Sequence, residues 1–236
     1  MNTQDMFRSE LKFICSNAEL SLIETRLKNV ISIDAHALSD GEYSIRSLYF
    51  DDFDNSCFYE VEDGNNNREK YRIRIYNQNP EIISLELKGK ENGKNQKQIC
   101  RMSARQCRNI IDGKLPDINE SGDPLMKKFC IEYKTRLLRP KIIVDYTRKA
   151  FIHSNGNVRI TFDKYISSSA DFKGFFEKSI TKIPVMPTGQ HILEVKYDEF
   201  LPGFIFKQLN LQTLDQTAFS KYYICRQYER QRGILL

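Results

Sequence analysis

The chain has 236 residues, of which 40% are hydrophobic and 28% charged, and its formal net charge is +5. This composition excludes an intrinsically disordered protein and is sufficient for a folded core. We expect one domain over residues 1–236, because no linker, internal repeat or low-complexity tract interrupts the chain. The positive charge favours an anionic partner, which could be a phosphorylated molecule, a nucleic acid or an acidic lipid.

Eight strands and four helices are predicted along the chain. In chain order, the strands cover residues 8–14, 44–50, 68–76, 82–90, 94–101, 141–152, 157–165 and 191–197. The helices cover residues 17–30, 103–111, 123–135 and 219–230. Asn92-Gly93 and Asn155-Gly156 predict tight turns that pair the fourth strand with the fifth and the sixth with the seventh. Residues 167–187 are predicted as a long loop or a short helix.

The sequence also predicts a cytoplasmic protein. No apolar run is long enough to span a bilayer, and residues 1–13 lack the apolar core of a secretion signal. The six cysteines are scattered, without a CxxC pair and without a histidine at metal-ligand spacing. We therefore expect buried free cysteines and neither a disulfide framework nor a zinc site.

One face of strand after strand is charged. Since residues i and i+2 share a face of a strand, Lys70, Arg72 and Arg74 lie together, with Tyr71 and Ile73 opposite. The corresponding sets in the other strands are Glu10 and Lys12; Glu86, Lys88 and Lys90; Lys97 and Arg101; Tyr146 and Arg148; Arg159, Thr161 and Asp163; and Glu194 and Lys196. A half-exposed sheet with a solvated polar face is one explanation. The repeated Glu-x-Lys and Arg-x-Arg pairs favour an interior face instead.

We predict an α+β fold, an eight-stranded antiparallel β-barrel with flanking helices. Eight strands close into a barrel wide enough for one ligand. Two like charges about 6 Å apart repel by roughly 3 kcal/mol at an effective dielectric near 20, so a cationic interior predicts a long polyanion such as a chain of phosphates. The carboxylates of Glu10, Glu86 and Glu194 would then hold Mg²⁺ or Mn²⁺, or pair with the neighbouring cations.

Eight short segments carry a resemblance to a known family. In chain order they read RSELKF, SIRSLYFDD, REKYRIRIY, LELKGK, KIIVDYTRKAF, NVRITFD, ILEVKY and FSKYY. Together they resemble the polyphosphate polymerase domain of the vacuolar transporter chaperone (VTC) family, which belongs to the triphosphate tunnel metalloenzymes. The resemblance extends from about Phe7 to Tyr228. It implies an eight-stranded tunnel, ATP as the phosphoryl donor and a growing inorganic polyphosphate chain as the product.

The resemblance also implies roles for individual residues. The catalytic set, which would clamp the phosphates, is Arg72, Arg74, Lys88, Arg148, Arg159 and Lys196. The substrate-binding set is Lys12, Lys97, Tyr146, Ser220 and Lys221. Glu194 matches the metal-binding glutamate of the family, which implies Mn²⁺ or Mg²⁺ as cofactor. Strand parity independently selects the same cations except Lys221, which lies in the predicted last helix.

The resulting hypothesis is a metal-dependent polyphosphate polymerase that transfers the γ-phosphate of ATP to a growing chain. Two alternatives remain open, a CYTH-like triphosphate hydrolase and a non-catalytic polyphosphate-binding module. The first strand carries a single Glu-x-Lys rather than the ExExK of CYTH triphosphatases, which favours the polymerase. Binding of nucleic acid is not expected, because the cations share strand faces with Glu while most aromatic side chains lie opposite. The SPX domain and membrane region of the eukaryotic polymerase are not expected in this chain, so a membrane protein partner could supply any coupling to translocation.

Overall fold

The structure is a computed structural model that describes residues 9–34, 37–91, 94–117 and 122–233. The predicted first residue of the first strand, Arg8, and the predicted Asn92-Gly93 turn lie outside these ranges. In the part of the chain that is described, no helix combines the length and the apolar character needed to cross a membrane.

The described residues form eleven strands, in place of the eight predicted. They are β1 (Ser9–Ser16), β2 (Ser32–Ile33), β3 (Glu42–Asp51), β4 (Arg68–Tyr76), β5 (Ile83–Glu91), β6 (Lys94–Met102), β7 (Arg139–His153), β8 (Val158–Ser169), β9 (Ile183–Pro184), β10 (Gln190–Tyr197) and β11 (Asp215–Gln216). The eight long strands correspond to the eight predicted ones. The prediction missed β2, β9 and β11, because a two-residue strand is too short to show an alternating pattern.

The strands form one sheet that is not closed, so the prediction of a closed barrel is wrong. Their order is β11-β1-β10-β8-β7-β3-β4-β5-β6, with β2 beside β7 and β9 beside β8. Neighbouring strands with a described register are antiparallel, including the predicted pairing of β5 with β6. Strand parity assigns side chains to faces but does not specify whether the first and last strands of a sheet pair, and for this reason it could not exclude an open sheet.

Six α-helices accompany the sheet in the described residues. They are α1 (Asn17–Leu27), α2 (Ser56–Glu62), α3 (Ala104–Ile111), α4 (Pro124–Thr135), α5 (Gly203–Leu209) and α6 (Lys221–Gln231). The four predicted helices are confirmed, with Ser16, Ser103, Asp123 and Ser220 as their N-caps. Helices α2 and α5 were not predicted as ranges, because seven residues are fewer than two full helical turns of pattern.

The chain divides into two compact units. The first unit comprises Met1–Tyr43, Tyr146–Ile166 and Met186–Phe219, and the second comprises Ser44–Asp145, Ser167–Val185 and Ser220–Leu236. Three of the five unit boundaries fall within β3, β7 and β8, so each of these strands contributes residues to both units.

Each unit has its own hydrophobic core on the face of its strands that lies opposite the charged residues. In the first unit, the buried core includes Phe13, Ile160, Leu193 and Val195 from the strands, and α1 and α5 pack onto it with side chains such as Leu27 and Ile205. In the second unit, Ile73, Leu85 and Leu87 pack with Phe129 of α4 and Ile110 of α3. All six cysteines are free and buried, as predicted.

Candidate functional site

The second unit presents a cationic face built on three neighbouring strands. The register pairs Lys70 with Lys88, Arg72 with Glu86 and Arg74 with Ser84, and β6 continues these rows with Lys97, Ile99 and Arg101. Residues opposite one another in an antiparallel pair share a face. Of these nine positions, six are Lys or Arg and one is a carboxylate. The predicted residues Arg72, Arg74, Lys88 and Lys97 are thus on one patch, which we call the nine-residue patch.

Glu86 is the single carboxylate of the nine-residue patch, and it is almost completely buried. Its Oε2 accepts a hydrogen bond from Arg72 Nε at 2.7 Å and lies 2.5 Å from Arg72 Nη2. Its Oε1 lies 2.9 Å from Lys97 Nζ. Both carboxylate oxygens therefore face cations, so Glu86 acts as the internal counterion of the patch.

The arginines of this patch are also held by residues of β3. Arg72 Nη1 donates to the Tyr49 hydroxyl at 3.0 Å, and Arg74 Nε donates to Ser47 Oγ at 3.0 Å. Burial would raise the pKa of Tyr49, but Arg72, Arg74 and Lys70 together lower it. Arg72 and Arg74 are each only 7% exposed. Guanidinium groups are seldom buried to this degree unless they are paired, as these two are.

The pKa of Glu86 predicts how this patch affects stability in acid. Burial would raise that pKa, but Arg72, Arg74 and Lys97 outweigh burial and lower it from 4.5 to about 2. Since the pKa is lower in the folded protein, the stabilisation by Glu86 is full above about pH 4.5 and is lost as the pH falls through about 2.

We expect Glu86→Gln to remove this acid dependence. The difference in unfolding free energy between the wild type and the variant should shrink by about 3 kcal/mol between pH 4.5 and pH 2. Urea denaturation at several pH values in this window measures it, with Glu81→Gln, an exposed carboxylate of the same unit, as the control. A constant difference across the window would show that Glu86 is not a paired, ionised carboxylate.

The first unit presents a second set of charges, on β1, β10 and β8. Two rows cross these strands, one of Glu10, Lys196 and Arg159, and one of Lys12, Glu194 and Thr161. These six positions hold three cations and two carboxylates, so their charge is more nearly balanced than that of the nine-residue patch. The predicted residues Lys12, Arg159, Glu194 and Lys196 are therefore neighbours on one face.

Two carboxylates of this unit share one ammonium group. Lys196 Nζ lies 2.6 Å from Glu194 Oε1 and 3.6 Å from Glu10 Oε1. Lys12 Nζ lies 3.1 Å from Glu10 Oε1 and donates to the carbonyl oxygen of Phe219 at 3.0 Å. Glu10 and Glu194 are therefore brought within reach of the same small group, and Glu194 is only 5% exposed.

This donor set fits a divalent cation that arrives together with phosphate. Within the described residues, no three His, Cys, Asp or Glu side chains are grouped so that they could hold a metal by themselves. Mg²⁺, however, is commonly bound by one or two carboxylates, with phosphate oxygens and water completing the shell. Glu194, with Glu10 beside it, can supply those carboxylate oxygens.

The two predicted arginines of the first unit each have a buried acidic partner. Arg148 binds Asp163 through two hydrogen bonds, Nε to Oδ1 at 2.6 Å and Nη2 to Oδ2 at 2.7 Å, and Asp163 is completely buried. Burial would lower the pKa of Arg148, but Asp163 outweighs burial and raises it well above its ordinary value. Arg159 Nη2 donates to Asp34 Oδ2 at 2.6 Å and to the Tyr43 hydroxyl at 3.0 Å.

The remaining predicted residues lie beside these groups or at the start of α6. The ring centre of Tyr146, a buried side chain, lies 5.4 Å from Cζ of Arg148, within the range of a cation–π contact. Ser220 is the N-cap of α6, and its Oγ accepts from the backbone N–H of Tyr223 at 3.4 Å. Lys221 is the first residue of that helix.

Several residues of the site were not identified as site residues from the sequence. Asp34 is 125 residues from Arg159, and no local pattern connects the two. The Arg148–Asp163 pair could have been found, because these residues lie at equal distances on either side of the predicted Asn155-Gly156 turn. Thr161 is buried, and its hydroxyl has no hydrogen-bond partner in the described residues.

Comparisons with known proteins found a matching family model and a set of distantly similar solved structures. The family model of the VTC domain matches residues 7–229. No curated protein matches the chain.

Three solved structures illustrate how distant the structural matches are. The PH1819 protein of Pyrococcus horikoshii OT3 has 14% identity and a TM-score of 0.49, covering 94% of this chain and 99% of its own. A proposed adenylate cyclase of Bacillus halodurans has 12% identity and a TM-score of 0.48, covering 97% and 92%. The PH1012 protein of Pyrococcus horikoshii OT3 has 12% identity and a TM-score of 0.46, covering 92% and 97%.

Proposed function

This chain belongs to the VTC domain family, and from that premise we propose that it is a metal-dependent polyphosphate polymerase. ATP would be the phosphoryl donor, and inorganic polyphosphate would be both the acceptor and the product. Mn²⁺ or Mg²⁺ would be the cofactor.

The observation that supports this proposal most strongly is the charge of the nine-residue patch. Six cations and one carboxylate occupy nine adjacent positions, and Arg72 and Arg74 in this set are buried. Such an excess of like charge around two buried guanidinium groups is unfavourable unless an anion compensates it. A phosphate chain suits these groups, since Arg binds phosphate oxygens in pairs and Lys acts as a point charge.

The proposed reaction needs little covalent chemistry from the protein. A terminal oxygen of the polyphosphate chain attacks the γ-phosphorus of ATP, and the bond between that phosphorus and the β–γ bridging oxygen breaks, so that ADP leaves. No general base is required, because the attacking phosphate oxygen is already anionic. Positioning of the two phosphates and stabilisation of the charge on the transferring group supply the acceleration.

Each unit carries cations that would bind phosphate oxygens. In the second unit, Arg72, Arg74, Lys88, Lys97 and Lys221 would bind phosphate oxygens, with Ser220 as a hydroxyl donor. In the first unit, Lys12, Arg148, Arg159 and Lys196 would do so, with Tyr146 packed against Arg148. The metal, held by Glu194 with Glu10 beside it, would neutralise charge on the phosphate oxygens when bound.

The products formed from ATP test this proposal. The purified chain is incubated with ATP and Mn²⁺, the products are separated on a polyphosphate gel, and free phosphate is measured in parallel. A ladder of chains together with ADP is the expected result. Free phosphate without chains would reject the polymerase in favour of a triphosphate hydrolase. Binding of polyphosphate without turnover would reject both enzymes in favour of a binding module.

A further inference from the structure

Lys70 is a cation of the nine-residue patch to which neither the family resemblance nor the reaction above gives a role. It lies directly opposite Lys88 on β5, and Lys88 in turn lies opposite Lys97 on β6. The three lysines therefore form one row across three strands that are about 4.8 Å apart. Like charges placed directly opposite each other destabilise a sheet. A linear anion lying along this row would reverse that effect.

Among the described residues, the charge of Lys70 has no carboxylate to neutralise it. Lys97 has Glu86 as its partner, but no Asp or Glu of the described residues forms an ion pair with Lys70. Its Nζ lies 5.5 Å from the centre of the Tyr222 ring, within the range of a cation–π contact. Burial lowers the pKa of the Lys70 ammonium group, and Arg68 and Arg72 act in the same direction, whereas Tyr49 and Cys57 act against it. A half-buried lysine in such surroundings is costly to the unliganded protein.

The aromatic ring that Lys70 contacts, that of Tyr222, is held in place by a buried hydrogen bond. Tyr222 is 1% exposed, and its hydroxyl donates to Asp51 Oδ2 at 2.5 Å. Asp51 also accepts the backbone N–H groups of Cys57 and Phe58 at the start of α2. Tyr222 therefore cannot move away without breaking a buried hydrogen bond. It restricts the ammonium group of Lys70, a residue directly opposite Lys88 in the sheet, so less entropy is lost when an anion binds.

We propose that Lys70 is an additional phosphate-binding residue, which contacts the polyphosphate chain in line with Lys88 and Lys97, and that Tyr222 is its positioning residue. This inference rests on the proposed function for the identity of the ligand. It implies that the unliganded protein carries a local destabilisation that the bound chain relieves.

Three variants test the proposal by binding and by stability together. Lys70→Met keeps the length of the side chain and its contact with the ring but removes the charge, whereas Lys70→Arg keeps the charge. Lys178→Met removes a charge at an exposed position of the same unit and serves as the control. The probe is long-chain inorganic polyphosphate without metal, its affinity is measured by titration, and the thermal midpoint is measured without ligand.

We expect Lys70→Met to bind polyphosphate about tenfold more weakly than the wild type. Its thermal midpoint should be unchanged or higher by about 1–3 °C, because like-charge repulsion is relieved. Lys70→Arg should retain most of the affinity, and Lys178→Met should bind as the wild type does.

Three outcomes would overturn the proposal. Equal binding by Lys70→Met and the wild type would show that Lys70 does not contact the chain. Weaker binding with a lower thermal midpoint would assign Lys70 a structural role. A wild type that does not bind polyphosphate would reject this inference and the proposed ligand together. A wild type that binds but makes no chains would reject the polymerase alone, and the comparison of variants would still decide the role of Lys70.

Discussion

Replacing Glu194 with Gln is expected to lower metal-dependent polyphosphate synthesis by at least about 100-fold. The amide has nearly the same size as the carboxylate but lacks the charge that binds a divalent cation. Lys196, the ion-pair partner of Glu194, keeps Glu10 as a second acidic neighbour, so the fold should survive. The rate of chain formation from ATP at saturating Mn²⁺ measures the effect.

The affinity of Glu194→Gln for polyphosphate without metal distinguishes loss of metal binding from disruption of the polyphosphate-binding site. Without metal, the variant should bind polyphosphate as tightly as the wild type or more tightly, because a negative charge has been removed from the neighbourhood of Lys196. Glu81→Gln, at an exposed position, should leave both rate and affinity unchanged. If Glu194→Gln retains full turnover, Glu194 is not the metal ligand and the assignment of the site is wrong.

The largest expected loss of stability follows Asp163→Asn. The bidentate bond between Asp163 and Arg148 is buried, and removing one partner of a buried ion pair leaves a charge without compensation. Such a change costs about 3–5 kcal/mol of unfolding free energy. For a chain of this size, the thermal midpoint should fall by roughly 10 °C. The midpoint of urea denaturation, at an unchanged slope, gives the same quantity.

A double variant distinguishes the structural from the functional role of Arg148. Arg148→Met combined with Asp163→Leu removes both charges and should recover much of the lost stability, because buried pairs can often be replaced by packed apolar residues. Its polyphosphate synthesis should remain low if Arg148 contacts phosphate. The exposed Asp215→Asn serves as the control for the single variant. A loss below about 1 kcal/mol in Asp163→Asn would contradict the strength assigned to a buried pair.

The charged faces could be read from the sequence with accuracy. The alternation of Lys70, Arg72 and Arg74 with Tyr71 and Ile73 is a local property of an extended chain, and in the structure the apolar set is in the core. The helix caps at Ser16, Ser103 and Asp123 were equally predictable, because a cap depends on residues two or three positions apart.

Other features were not predictable, since they depend on residues distant in the chain. The carboxylate that neutralises Arg159 is Asp34, and Tyr222, which contacts Lys70, lies on the last helix. The short strands β2, β9 and β11 carry no pattern of their own, and each pairs with a longer strand, namely β7, β8 and β1 respectively. The open sheet likewise depends on the pairing of whole strands rather than on any local signal.

The sequence by itself therefore determined which side chains share a face and that these faces are rich in cations, because strand periodicity is set by neighbouring residues. Only the tertiary structure decided how the charges are distributed among partners. Arg72 and Lys97 form ion pairs with Glu86, and Arg148 forms one with Asp163. Among the described residues, Lys70 contacts an aromatic ring and has no carboxylate partner. Charge pairing depends on distances across strands and helices, which register and packing fix.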